Sequence, residues 1–238
     1  MHDRSGNTAL MRAAQYGHVS CVRSLVDSKA ELDVKDATFE ETALMRAAEK
    51  GHSECVQLLI DAKASIEAKR YGGETAFMRA VLYNHARCTR LLLDAKANME
   101  AQDERSSTAL MWAAGNGCIS CLEVLIEAKA NLETENSDGM TALDWAVSQG
   151  WPSCLKLLID ANANVNHRNA DAETALMEAA RQGNPACMQL LIDAKADLDA
   201  VDVENRTALM FAVLLNNLEC IKLLTQAKLA LETRACNG

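Results

Sequence analysis

The chain has 238 residues and a net charge of -9. The acidic balance argues against a nucleic-acid partner, whose phosphates demand basic surface. No run of 18 apolar residues offers a membrane span, and the opening MHDRSGNTAL lacks the apolar core of a secretory signal.

One period organises the chain. Thr-Ala-(Leu/Phe) recurs at Thr8, Thr42, Thr75, Thr108, Thr141, Thr174 and Thr207, spaced 34 residues the first time and 33 each time after. A fixed period of this size means a stacked array. The boundaries fall near 3–35, 36–69, 70–102, 103–135, 136–168, 169–201 and 202–234 within a single array over 1–238. Positions are counted below from each threonine as zero.

Ahead of each threonine lie turn formers: Asp3 with Gly6, Gly72 with Gly73, Asp138 with Gly139, and Asn205. They predict a projecting turn. The threonine is an N-cap, its hydroxyl placed to accept a first-turn N–H. Leu at +2 and small residues at +5 and +6 give a short first helix a buried face. At +9 only Gly17, Gly51, Asn84, Gly117, Gly150, Gly183 and Asn216 occur, residue types that take a left-handed backbone easily. A tight turn follows. Both prolines, Pro152 and Pro185, sit at +11, the first position of a second helix, where a missing N–H costs nothing. Apolar residues at +13, +14, +17 and +18 make its stripe. Each pair of helices is too small to bury its own face, so stability is shared between neighbours.

Seven of the nine cysteines occupy +13: Cys21, Cys55, Cys88, Cys121, Cys154, Cys187 and Cys220. Packed helices lie about 8–10 Å apart, beyond disulfide reach. Cysteine is therefore expected as a small core residue in a reducing, intracellular compartment, most simply the cytoplasm.

The phased pattern TAL-x-x-AA, GH, V-x-LL-I and A resembles the ankyrin repeat, over Asp3 to about Glu232. The resemblance implies an all-α solenoid of stacked helix–turn–helix units with short β-turn fingers. It also implies a concave face and fingers that bind other proteins. Three features depart from the family. Alanine replaces the proline of its Thr-Pro-Leu-His, which removes some backbone pre-setting. Methionine replaces its histidine at +3, with Asp144 the exception, which removes a hydrogen-bonding side chain. At +21 the family's glycine is Lys29, Lys63, Lys96, Lys129, Asn162, Lys195 and Lys228. A left-handed lysine costs about 1–2 kcal/mol, of which a helix-end cation recovers about 0.3–1. A slightly altered turn is expected there.

Catalytic and metal motifs are missing: no GxGxxG, P-loop, HExxH or GxSxG occurs. His18, His52 and His85 recur at +10, where the family has a structural histidine. Cys118 and Cys121 form a CxxC at a helix start, where thiol pKa values can drop. Yet Cys121 belongs to the periodic core set and no second CxxC completes a zinc site. Cys236 is a tail thiol. No enzyme, cofactor or metal is expected.

Specificity must come from what varies. Position +4 reads Arg12, Arg46, Arg79, Trp112, Trp145, Glu178 and Phe211, on the side the family geometry makes concave. Tyr16 and Tyr83 lie at +8 near the same rim, and Tyr71 lies in a finger. Trp, Tyr and Arg are the types most enriched at binding hot spots. These ten residues are the candidate partner site. Arginines about 10 Å apart match every third residue of an extended chain. The expected partner is an acidic or phosphorylated segment with an apolar anchor at Trp112 and Trp145. The competing reading pairs the arginines internally with Glu41, Glu49 and Glu74. Leu214, Leu215 and Leu218 make the last repeat apolar for an end, a second contact surface or the edge of a longer array. The function expected is a non-enzymatic scaffold or adaptor; the alternative is a targeting or regulatory segment of a larger protein.

Overall fold

A computed structural model describes the backbone of residues 3–237 and the side chains through residue 230. Cys236 lies outside the described side chains. Among the described residues are fourteen helices and no strand longer than an isolated bridge. They run α1 Ala9–Gln15, α2 Val19–Asp27, α3 Ala43–Glu49, α4 Ser53–Asp61, α5 Ala76–Leu82, α6 Ala86–Asp94, α7 Ala109–Gly115 and α8 Ile119–Glu127. The remainder are α9 Ala142–Ser148, α10 Pro152–Asp160, α11 Ala175–Gln182, α12 Pro185–Asp193, α13 Ala208–Leu214 and α14 Leu218–Asn237. Chain packing defines two compact lobes: Met1–Ala113 with Cys118–Ala130, and Ala114–Gly117 with Asn131–Gly238.

Each first helix starts at its threonine. Thr42 Oγ1 accepts the Met45 N–H at 3.4 Å, and Thr8, Thr75, Thr108, Thr141, Thr174 and Thr207 repeat the bond on their own N3 residue. The methionine at +3 does not leave the cap bare, as the comparison with histidine implied. Met11 and Met177 each place sulphur 3.4 Å from the N–H of their capping threonine, a weak acceptor in the histidine's place. At Asp144 a carboxylate does this at 2.9 Å.

Both helices of a repeat end in the same closure. After α1 the Gly17 N–H donates to Ala14 O and the His18 N–H to Ala13 O. After α2 the Lys29 N–H donates to Val26 O and the Ala30 N–H to Leu25 O. This paired bonding needs a left-handed residue after the cap. Lys29, Lys63, Lys96, Lys129, Asn162 and Lys195 adopt it, with φ between 59° and 71°. The altered turn expected from the lysines is thus absent: two closing hydrogen bonds and a helix-end cation outweigh the strain of the left-handed Cβ. Lys228 differs, because α14 runs on through it to Asn237.

Three ladders tie repeats together. Fingers are linked by backbone bonds: the N–H groups of Ala37, Tyr71 and Glu104 donate to Ser5, Phe39 and Gly72 O in the first lobe, and those of Ala170 and Val203 to Asp138 and Asp171 O in the second. Side chains at +25 accept backbone N–H groups of the following repeat. Asp33 takes that of Ser65 at 2.8 Å, Glu67 that of Asn98 at 2.7 Å and Glu133 that of Asn164 at 2.9 Å. Side chains at +10 reach back to the +7 carbonyl. His52 and His85 Nε2 lie 3.1 and 2.9 Å from Gln15 O and Glu49 O. Trp151 Nε1–H donates to Gly115 O at 3.0 Å, so an indole does the same job.

The core holds Leu and Phe at +2, alanines at +5 and +6, and the cysteines. Cys55, Cys88, Cys121, Cys154, Cys187 and Cys220 are buried, but Cys21 is exposed, which corrects its assignment to the core. The +13 side chain faces the preceding repeat, as Cys121 faces Ala80, and among the described residues no such neighbour lies over Cys21.

Candidate functional site

In the first lobe the fingers and first helices form one face. Its floor is an ion-pair network. Arg46 meets Asp36 at 3.2 Å and Glu41 at 3.5 Å. Arg70 meets Glu41 at 3.5 Å and Glu74 at 3.3 Å. Arg79 bridges Glu74, at 2.8 Å, to Glu49. Burial alone would push the Glu49 carboxyl up and Arg79 down; each reverses the other's shift, leaving Glu49 below its ordinary range and Arg79 above it. Burial would also raise Asp36, but the backbone N–H groups of Phe39, Thr38 and Glu41 together hold it down. Glu41 has only the longer contacts, and burial pushes it up.

This network bears on the arginine stripe. Arg79 is 7% exposed and Arg46 is mostly covered, also donating to Gln15 Oε1 at 3.1 Å. Their charges already meet carboxylates of the same chain. Arg12 remains accessible, with Asp3 at 2.9 Å. An acidic or phosphorylated segment along Arg12, Arg46 and Arg79 therefore has to compete with Asp36, Glu41, Glu49 and Glu74.

Above the floor stand aromatics. Tyr16, Tyr71 and Tyr83 are exposed, Tyr71 to 72%. Phe39, absent from the residues expected of the site, is exposed beside them, with the Arg70 guanidinium 5.2 Å from its ring centre. Arg79 lies 5.1 Å from the Tyr83 ring. The signal for Phe39 was in the sequence: it sits in the one finger lengthened by a residue, next to the finger in which Arg70 replaces the usual Asp or Asn. Phe39 lines a groove of about 260 Å³, whose walls include Arg12, Asp36, Glu41, Arg46 and Lys50. Trp112 is half-buried, its Nε1–H donating to Asp103 at 3.1 Å.

The second lobe carries the rest of the candidate residues. Trp145 is half-buried against Gly115, where a Cβ would meet the indole at 2.6 Å. Glu178 pairs with Arg181 at 2.9 Å. Phe211 is buried, between the guanidinium groups of Arg181 and Arg206, each 4.8 Å from its ring centre. A separate cluster escaped the sequence reading. His167 Nδ1 lies 2.9 Å from Asp144 Oδ2 and its Nε2 lies 3.1 Å from Glu135. The hydrogen bond to Asp144 raises the imidazole to about 9, against burial and with help from Glu135. Two off-pattern residues in one repeat, Asp144 at +3 and His167 at +26, were the available clue.

The CxxC thiols are not activated. Burial pushes Cys118 up and Cys121 to about 11, and Cys118 Sγ–H donates to Leu82 O at 3.3 Å. Among the described residues no group of three or more His, Cys, Asp or Glu is placed to hold a metal ion, and no helix is long and apolar enough to cross a membrane.

Paired helices, left-handed closures and laddered fingers define a helical-repeat protein whose exposed chemistry lies on fingers and first helices. The model of ankyrin repeats in three copies matches residues 10–103, 77–169 and 143–234. The chain belongs to the ankyrin-repeat family. Its structure is similar to the ankyrin repeat domain of Bcl-3, described as a unique member of the IkappaB protein family. That similarity has a TM-score of 0.82 and 28% identity, over 93% of this chain and 100% of that one. It is also similar to the human ASB11 ankyrin repeat domain, with a TM-score of 0.80 and 24% identity over 93% of this chain and 98% of that one. A search of the curated proteins found no match. Ankyrin-repeat domains generally mediate protein–protein contacts, so the chain is a protein-binding solenoid by class.

Proposed function

We propose that the chain is a non-catalytic scaffold or adaptor that grips a partner protein through the finger-and-rim aromatics of its first lobe. The observation that carries this is the exposure of Tyr16, Phe39, Tyr71 and Tyr83 on one lobe, over guanidinium groups that are already neutralised. Aromatics of this kind supply hot-spot area, and the paired charges beneath fix their positions. In the second lobe, Trp145 and Phe211 pack against the repeat before their own, and Glu178 pairs with Arg181 within its own repeat. The described cysteines are free thiols, which supports an intracellular, cytoplasmic setting.

Phe39→Ala with Tyr71→Ala tests the reading by pull-down from a lysate of the source organism. Both side chains are exposed, so the fold is retained. Partners held by the native chain and lost by the variant support it; partners retained by both oppose it. The accessible Arg12 favours a second reading, an acidic partner. Binding that falls steeply with salt and with Arg12→Glu, but is indifferent to the aromatic pair, would select that one.

A further inference from the structure

Inner junctions within each lobe follow one rule, and both end faces of this chain keep half of it. The +3 methionine of a repeat with a following neighbour is buried, as Met11, Met45, Met78 and Met177 are, to 1% or less. Met210 of the last repeat is 54% exposed, beside Val213, Leu214 and Leu218, which are also exposed. At the first repeat the complementary half is open. Cys21 is exposed where Cys55 and Cys88 are buried, and it borders a depression of about 570 Å³ whose lining includes Ala13, Tyr16, His18 and Leu25.

The polar ladders stop in matching fashion. His52 and His85 bond the +7 carbonyl of the repeat before them. Among the described residues the His18 ring has no hydrogen-bond partner, only a stacked contact with Tyr16 at 6.0 Å. The carbonyl at +7 of the last repeat is that of Leu214. The finger ladder donates from Ala37 to Ser5 and from Val203 to Asp171. Its next donor outward is the Arg4 N–H and its next acceptor outward is Glu204 O. One face thus has the donors and the hollow; the other has the acceptors and the apolar projection.

We propose that the first repeat of one chain stacks on the last repeat of a second copy, reproducing the inner junction between molecules. His18 Nε2–H then donates to the Leu214 carbonyl and the Arg4 N–H to Glu204 O, while Ala212 and Ile221 take the places over Cys21 that Ala80 and Thr89 hold over Cys121. Such a contact joins two different faces, so it propagates head to tail unless a ring closes. Tyr16 borders both this surface and the aromatic face assigned to partner binding, whereas Phe39, Tyr71 and Tyr83 lie outside the depression, and the sedimentation test does not depend on that assignment.

Sedimentation equilibrium with reductant present tests it. The native chain is expected to show a weight-average mass that rises with concentration above one chain. Cys21→Arg and Leu214→Arg, both at exposed positions and checked for helicity by circular dichroism, each remain single chains. An equimolar mixture of the two stops at a pair, because one variant keeps the tail face and the other keeps the head face. A native chain that stays single at every concentration overturns the proposal. So does a Leu214→Arg chain that associates as the native one does, or a mixture that fails to pair.

Discussion

At the scale of residues, burial decides what each charged side chain can do. Arg79 is nearly covered and held by Glu49 and Glu74. Removing one partner of a buried pair strands the other charge. Arg79→Ala is therefore expected to lower stability by about 3–5 kcal/mol in urea titration, which makes it a poor probe of binding. Thr42→Ala deletes only a cap and should lose about 1 kcal/mol. His167 gives a pH signature. Its folded value of about 9 lies above the ordinary 6.5, so its stabilisation is complete below about 6.5 and disappears as pH rises through 9. The stability gap between the native chain and His167→Ala should shrink between about pH 6 and pH 10; a gap that widens contradicts the assignment. None of this burial was legible at +4. Arg12, Arg46 and Arg79 share one register but differ in exposure, because neighbouring carboxylates and fingers decide how deep each lies.

At the scale of elements, the helices and their closures were legible because each is a local device repeated in phase. The threonine caps, the Gly/Asn turns and the prolines at first helical positions all stand where their chemistry placed them. The lysine turns were not legible, since the strain of one residue says nothing of the two hydrogen bonds that hold the turn. The same residue type now yields opposite predictions. Lys63 has φ 71°, so Lys63→Gly relieves strain and should raise stability by about 0.5–1 kcal/mol after the lost helix-end charge is allowed for. Lys228 lies inside α14 and its Nζ meets Asp199 at 2.6 Å. Lys228→Gly should lower stability, by about 1 kcal/mol from helix propensity. Thermal melts of the two variants check the signs. The +25 ladder was hidden in the sequence because its acids look like ordinary loop polarity until the neighbouring repeat's N–H groups are in place.

At the scale of the whole molecule, periodicity gave a stacked array, the family model matches its phased motifs, and departures from the repeat mark where to look for function. The departures proved to be of two kinds. Trp145 against Gly115, Phe211 between two arginines and His167 on Asp144 are repeat-specific packing. Phe39 and Tyr71, on the lengthened finger and its neighbour, remain at the surface. The central claim is that these finger aromatics grip the partner, and one measurement addresses it most directly: a paired pull-down with the native chain and Phe39→Ala/Tyr71→Ala as baits, both shown by circular dichroism to be folded. The account predicts at least one protein retained by the native chain and absent from the variant. The same proteins recovered in the same amounts on both baits would contradict it.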